Sequence, residues 1–223
     1  MKNRALKDLL YEQVGRIGKA VSSPKRLELL ELLAQGEKTV EHLAAELSID
    51  VKLASAHLKA LKAARLVESR RDGKFMVYRL SGPDVARLWV RLREVAETHL
   101  VELRLALDEM TTHRGQMAAV GRDALLTQAR RGEVTVIDVR PRAEFEAAHL
   151  PYARSLPVGE LQQRLAELPR DKEIVAYCRG PFCLLSDEAA ALLLAKGYRV
   201  RKLLDGVSEW QAAGLPLEQA SAS

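Results

Sequence analysis

The stretch Ile174-Val175-Ala176-Tyr177-Cys178-Arg179-Gly180-Pro181-Phe182-Cys183 runs from an apolar segment into a loop with a cysteine at each end. A helical pattern from Ser186 to Lys196 follows, so the sequence predicts strand, turn and helix, with both cysteines in the turn. A loop that curls before a helix N-terminus aims backbone N–H groups inward. Together with the helix dipole these stabilise an anion: a thiolate, a bound oxyanion or the terminal sulfur of a persulfide. Cys178 is therefore expected to be acidic and nucleophilic. Arg179 would add positive charge, Gly180 would take backbone angles that other residues avoid, and Pro181 would stiffen the loop while removing one N–H donor. The chain has two cysteines in all, and a pair five residues apart in a cytosolic chain suggests chemistry more than a structural disulfide.

Outward from this loop, short apolar strands are expected at 134–139, 174–177 and 200–204, separated by helical stretches near 144–148, 160–168 and 186–196. Alternation of this kind implies a parallel sheet covered by helices. Upstream, Thr111 to Met117 lacks periodicity and reads as a linker, and before it the pattern is helical. Leu6, Leu9, Leu10, Val14 and Ile17 recur at helical spacing; Ser23-Pro24 then offers an N-cap and a first-turn proline for a helix stopped near Gly36. Thr39 to Leu47 is a further helix, and Asp50 caps another from Val51 to about Ala64. Asp72-Gly73 between two strand-like runs, 66–71 and 74–80, signals a hairpin with basic residues at its tip. From Pro83 one long helix is expected to about Met110, with an apolar stripe including Val85, Leu88, Trp89, Leu92 and Ala96 that needs a partner. The chain thus reads as two domains, 1–113 and 118–223.

With 223 residues and 48% hydrophobic content the chain can bury cores, which excludes a disordered or collagen-like polymer. Its apolar runs are too short to span a bilayer and its start is charged, so a cytoplasmic location and no membrane partner are expected. The net charge of +5 arises entirely before residue 118, where 21 basic side chains face 16 acidic ones. Within that half, Val51 to Leu80 holds Lys52, Lys59, Lys62, Arg65, Arg70, Arg71, Lys74 and Arg79 against Glu68 and Asp72. Such a run is either a solvated helix face or a surface for a polyanion.

Helix, turn, helix and basic hairpin in that order resemble the ArsR-type winged helix-turn-helix family. The likeness covers roughly residues 5–110 and is carried by Ser55-x-His57-Leu58-Lys59-x-Leu61, Ala64-Arg65-Leu66-Val67, Arg70-Arg71-Asp72-Gly73-Lys74 and Tyr78-Arg79-Leu80. It implies that Val51, Lys52, Leu53, Ser55, Ala56 and His57 face the major groove, while Lys59, Arg70, Arg71 and Lys74 contact phosphates. His57 could instead satisfy a local hydrogen bond. The resemblance further implies a homodimer that binds a double-stranded DNA operator with inverted half-sites. Many members sense soft metals, but this half lacks their ligands: Thr39 and Glu41 stand near the place of the helix cysteines, and His99-x-x-Glu102 is an isolated fragment. No metal site and no cofactor are expected; Glu41, His42 and His99 read as surface residues.

The second half resembles a single rhodanese domain over about 120–218. The likeness rests on Ile137-Asp138-Val139-Arg140-Pro141-Arg142-x-Glu144-Phe145-x-x-x-His149-Leu150-Pro151-x-Ala153, on the loop opening at Cys178, and on Leu204-Asp205-Gly206-Val207-x-x-Trp210-x-x-x-Gly214-Leu215-Pro216. It implies an α/β parallel-sheet fold that moves sulfane sulfur through a persulfide on Cys178, with Arg179, Gly180, Pro181, Phe182 and Cys183 as its cradle. Asp138, His149, Asp205 and Trp210 read as structural anchors. Cys183 replaces the arginine, serine or threonine common in relatives. It either attacks the persulfide to leave a disulfide, provided the two Cα atoms lie within about 7 Å, or fills space as a small buried side chain. The expectation for the whole chain is a dimeric transcriptional regulator, a repressor, that senses or transfers sulfane sulfur from a persulfide, polysulfide or thiosulfate donor. The alternatives are a working rhodanese-type sulfurtransferase with an accessory DNA-binding module, and an inactive rhodanese scaffold.

Overall fold

The computed structural model describes residues 2–110 and 121–220; the linker expected at Thr111–Met117 lies outside them. The chain divides into two compact units, Met1–Trp89 and Val90–Ser223, and the division falls inside a helix.

In the first unit, α1 (Lys2–Val21), α2 (Pro24–Leu33), α3 (Val40–Glu46) and α4 (Val51–Ala63) accompany a small antiparallel sheet whose first strand lies between α2 and α3. Side-chain caps open both α3 and α4. Thr39 Oγ1 accepts from His42 N at 3.2 Å and Asp50 Oδ1 accepts from Leu53 N at 2.9 Å, each worth about 1 kcal/mol. Ser23 has the extended backbone of an N-cap, with Pro24 beginning the helix, yet its side chain makes no capping bond. The apolar faces of these helices close over Leu29, Leu43, Leu58 and Leu61. The sheet has the order β1 (Lys38–Thr39), β3 (Phe75–Leu80), β2 (Val67–Asp72). The sequence does not announce β1, which is only two residues long. Thr39 pairs with Val77 in β3 while also capping α3. At the hairpin tip Asp72 pairs with Phe75, so the two-residue loop is Gly73-Lys74 rather than Asp72-Gly73. Gly73 takes the left-handed angle, φ 58°, that such a loop demands.

Instead of one rod to Met110, two helices form: α5 (Pro83–His99) and α6 (Val101–Met110). The Thr98 hydroxyl donates back to Glu94 O at 2.8 Å, immediately before the break at Leu100. Such back-bonding bends helices.

In the second unit, α7 (Arg122–Arg130), β4 (Val134–Asp138), α8 (Arg142–Ala147), β5 (Arg154–Ser155), α9 (Val158–Leu161), β6 (Glu173–Tyr177), α10 (Leu185–Ala195), β7 (Val200–Lys202) and α11 (Val207–Ala212) alternate along the chain. All strand pairs are parallel and the order is β5-β4-β6-β7. The helix expected at 160–168 is replaced by short α9 and a 3-10 turn, Leu165–Glu167. Strand alternation sorts the core: Ile174, Ala176 and Cys178 join one apolar cluster, Val175 and Tyr177 the other. Cys178 therefore sits at the carboxyl end of a central strand, where open α/β sheets place their ligands. Among the described residues no helix is long and apolar enough to cross a membrane.

Candidate functional site

The end of β6 is fixed before the loop begins. The Tyr177 hydroxyl donates to Asp138 Oδ2 at 2.6 Å and accepts from Leu150 N at 3.1 Å. Burial pushes the phenol well above its usual range, so it stays a neutral donor. Asp138 in turn accepts from Arg140 Nη2 at 2.6 Å and Nε at 3.0 Å, and both side chains are fully buried. Arg140 Nη2 also reaches Ala148 O. Asp138 thus ties β4, β6 and the segment after α8 together, as an anchor rather than a reacting group.

From this anchor the loop turns tightly. Cys178 is buried, Gly180 adopts φ 137°, and Cys183 N donates to Gly180 O at 3.1 Å. The loop closes on itself: Cys178 and Cys183 are joined by a disulfide, with their Cα atoms 6.3 Å apart. This satisfies the distance on which the resolving role of Cys183 depends. Cys183, partly buried, packs against the same apolar cluster as Cys178, two residues before α10 begins.

Beneath the loop runs Gly206. A Cβ there would lie 2.5 Å from Cys178 O and 2.6 Å from Arg179 C, so no side chain fits. Gly206 N donates to Glu209 Oε2 at 2.6 Å, and Glu209, on α11, is buried directly under Gly180. Its other oxygen accepts from Arg93 Nη1 of α5 at 2.8 Å. Arg93 is itself buried, pairs with Glu97 at 3.1 Å, and holds its guanidinium 5.6 Å from the Phe182 ring.

One expectation needs correction. Arg179 does not lend an uncommitted charge to the loop centre, because it forms a two-pronged pair with buried Glu144 of α8, at 2.7 and 3.0 Å. The pair offsets most of its field and makes Arg179 a strut. The expected anchors are all engaged: His149 bonds Phe145 O through Nδ1 and stacks on the Phe145 ring, Asp205 takes a two-pronged bond from Arg122 at 2.6 and 3.1 Å, and Trp210 is buried. Sequence reasoning missed Glu209 and Arg93. A charged residue four after Trp89 and three before Ala96 interrupts an apolar stripe, and that irregularity was the available signal for Arg93.

The residues expected to read DNA lie on α4 and the hairpin. Ala54, Leu58 and Leu61 turn α4 inward, leaving Val51, Lys52, Leu53, Ala56 and Lys59 exposed and Ser55 and His57 partly so. Exposed Val51 and Leu53 on the first turn are apolar surface of the kind that meets thymine methyl groups. Arg71 and Lys74 stand exposed at the hairpin tip, Lys74 over the Phe75 ring. Arg70 differs: Glu37 and Asp72 each hold it at 2.8 Å, and these bonds raise its already high pKa. A phosphate would have to displace two carboxylates to use it. Among the described residues no cluster of three or more His, Cys, Asp or Glu could hold a metal ion.

Comparison with known proteins gives two family matches: the arsR family of bacterial regulatory proteins over residues 23–69 and the rhodanese-like domain over 122–213. The chain is 43% identical to the HTH-type transcriptional regulator Rv0324 of Mycobacterium tuberculosis, covering 96% of this chain and 94% of that one. It is 36% identical to a sulfurtransferase of Allochromatium vinosum, over 38% of this chain and 78% of that protein. Among solved structures, the homodimeric winged helix-turn-helix DNA-binding domain (fragment 1–100) from Mycobacterium bovis is 47% identical, over 43% of this chain and 89% of that one, with a TM-score of 0.41.

Proposed function

Because this chain belongs to the ArsR family of transcriptional regulators, in a form that carries a C-terminal rhodanese-like domain, we propose that it is a homodimeric repressor whose operator affinity is set by sulfane sulfur captured on Cys178. Residues 1–113 serve DNA binding and dimerisation, and 118–223 serve sulfur chemistry. A continuous face of α1, with Leu6, Leu9, Leu10, Tyr11 and Val14 all exposed, calls for a second copy. Val51, Lys52, Leu53, Ser55, Ala56 and His57 enter the major groove, with Lys59, Arg71 and Lys74 on phosphates and Arg70 joining only if its carboxylate partners let go.

The observation that carries the sulfur reading is the 6.3 Å separation and disulfide of Cys178 and Cys183 across a glycine turn. The Cys178 thiolate attacks the outer sulfur of a persulfide or polysulfide; the donor's S–S bond breaks, its thiolate departs, and Cys178 carries a persulfide. The Cys183 thiolate then attacks Cys178 Sγ, expels hydrosulfide and leaves the disulfide. Each step exchanges one S–S bond for another, so sulfane sulfur is itself the oxidant. Gly180, Pro181 and Phe182 shape the turn, and Arg179 braces it through Glu144.

The test is operator affinity of wild type and Cys178→Ser with and without polysulfide, beside intact mass. A sulfur-dependent shift of about 5- to 150-fold that Cys178→Ser abolishes supports the proposal; an identical response in the variant refutes it. A second reading, a working sulfurtransferase with an accessory DNA-binding module, draws on the similarity to the Allochromatium sulfurtransferase. Thiosulfate-to-cyanide turnover at ordinary enzyme rates, with DNA binding indifferent to sulfur, would favour it.

A further inference from the structure

We propose that Arg93 is a positioning residue that registers the state of the cysteine loop and passes it into helix α5. The inference rests on the sulfur reading above. The contacts that carry it all lie within the unit Val90–Ser223. The Arg93 guanidinium lies 5.6 Å from the ring of Phe182, which sits inside the span the disulfide closes. Its Nη1 bonds Glu209, whose second oxygen holds Gly206 N, and Glu209 packs against Gly180 while Gly206 packs against the Cys178 carbonyl. Arg93 thus touches the loop by a ring on one side and by a carboxylate bridge on the other.

A buried guanidinium is a strict reporter. It needs its donors matched and its charge compensated, so a loop rearrangement that removes the ring or tilts Glu209 cannot be absorbed silently. Opening the Cys178–Cys183 bond releases Cys183, the neighbour of Phe182, and changes what covers Arg93. The helix that bears Arg93 also bears Val85, which is buried in the apolar core with α4 residues Leu58 and Leu61. A stiff α-helix needs no further part to report a change along its own axis.

The experiment uses the full-length protein and compares wild type with the double variant Arg93→Gln/Glu209→Gln, which removes both charges of the fully buried pair together and leaves without its ion pair only Glu97, whose side chain is partly exposed to water. In wild type, operator affinity should differ about tenfold or more between dithiol and disulfide forms. By reciprocity, saturating operator DNA should move the midpoint potential of the cysteine pair by roughly 30 mV per tenfold. In the variant the disulfide should still form with polysulfide, shown by the loss of two hydrogens in intact mass. Its affinity ratio should fall to about one and its potential should become the same with and without DNA. A merely structural role would leave ratio and shift in place. Should the double variant fail to fold, Arg93→Lys, which keeps a cation for Glu209 but loses the planar guanidinium beside the Phe182 ring, carries the same test and is expected to reduce both quantities. A variant that keeps the wild-type ratio overturns the role of Arg93 and leaves sulfur sensing intact, whereas a wild-type protein without any sulfur response overturns both.

Discussion

Gly206→Ala is the sharpest structural probe of the cysteine loop, because the added methyl has nowhere to go. Its carbon would lie 2.5 Å from Cys178 O, 2.6 Å from Arg179 C and 2.7 Å from Arg179 O. All three are backbone atoms, so no rotamer change relieves the overlap. Ordinary contact begins near 3.4 Å, so the Cys178–Arg179 peptide must move by about 1 Å. Gly206 has φ −113° and ψ −165°, which alanine adopts freely, so the effect is steric and not one of backbone preference. Overpacking of this kind costs about 1–3 kcal/mol, or roughly 2–12 °C in the unfolding of a unit this size. The same displacement acts on a Cα separation of 6.3 Å, close to the roughly 7 Å beyond which a disulfide does not close. Thermal unfolding of the variant should therefore show a lowered transition, and intact mass after polysulfide should show persulfide gain with slower loss of two hydrogens. Unchanged stability together with unchanged disulfide formation would refute the claim that Gly206 supports the loop.

Further expectations concern the anchor and the DNA face. Asp138→Ala strands the fully buried Arg140 and should cost about 3–5 kcal/mol in urea unfolding; a loss under 1 kcal/mol would contradict the anchoring role. Tyr177→Phe removes bonds to Asp138 and Leu150 N and should cost about 1–3 kcal/mol at neutral pH. Since the folded phenol titrates above its ordinary value of 10.0, ionisation favours the unfolded chain, and the stability it supplies drains away as pH climbs past that value. The gap between wild type and Tyr177→Phe should accordingly narrow above about pH 10 in a pH series of unfolding curves; a constant gap would argue against it. Lys59→Gln, Arg71→Gln and Lys74→Gln should each lower the salt slope of operator binding by about 0.9. Arg70→Gln should lower it less, because Glu37 and Asp72 already hold that side chain; equal slopes would show that the pairs open on DNA.

Where local rules decide, the sequence was a good guide. Asp50 ahead of Val51 placed the cap of α4, whereas Thr39 read as the first residue of a helix and proved to be its cap; the run 174–177 placed the strand that delivers Cys178, and the interval of the cysteines left a resolving thiol and a small buried side chain both open. Long-range partnerships were hidden. Glu209 and Arg93 stand 116 positions apart, and nothing short of the fold says that a carboxylate on one helix will lie under a glycine turn and meet a guanidinium from another. Arg179 misled for a related reason: its charge was legible, but the buried Glu144 that absorbs it was not. Two-residue strands such as Arg154–Ser155 leave no periodicity to read, and the break at Leu100 lacks the proline or glycine that usually announces one.

Thr39 spans two structures at once, its backbone stitched to Val77 in the hairpin and its hydroxyl seated on the first turn of α3. The wing and the helix pair therefore form one caliper whose jaws are set during folding. Such a tool cannot stretch to suit a misspaced site, so inserting a single base pair between the groove-reading and phosphate-gripping positions of a half-site should be punished more severely than exchanging one base for another.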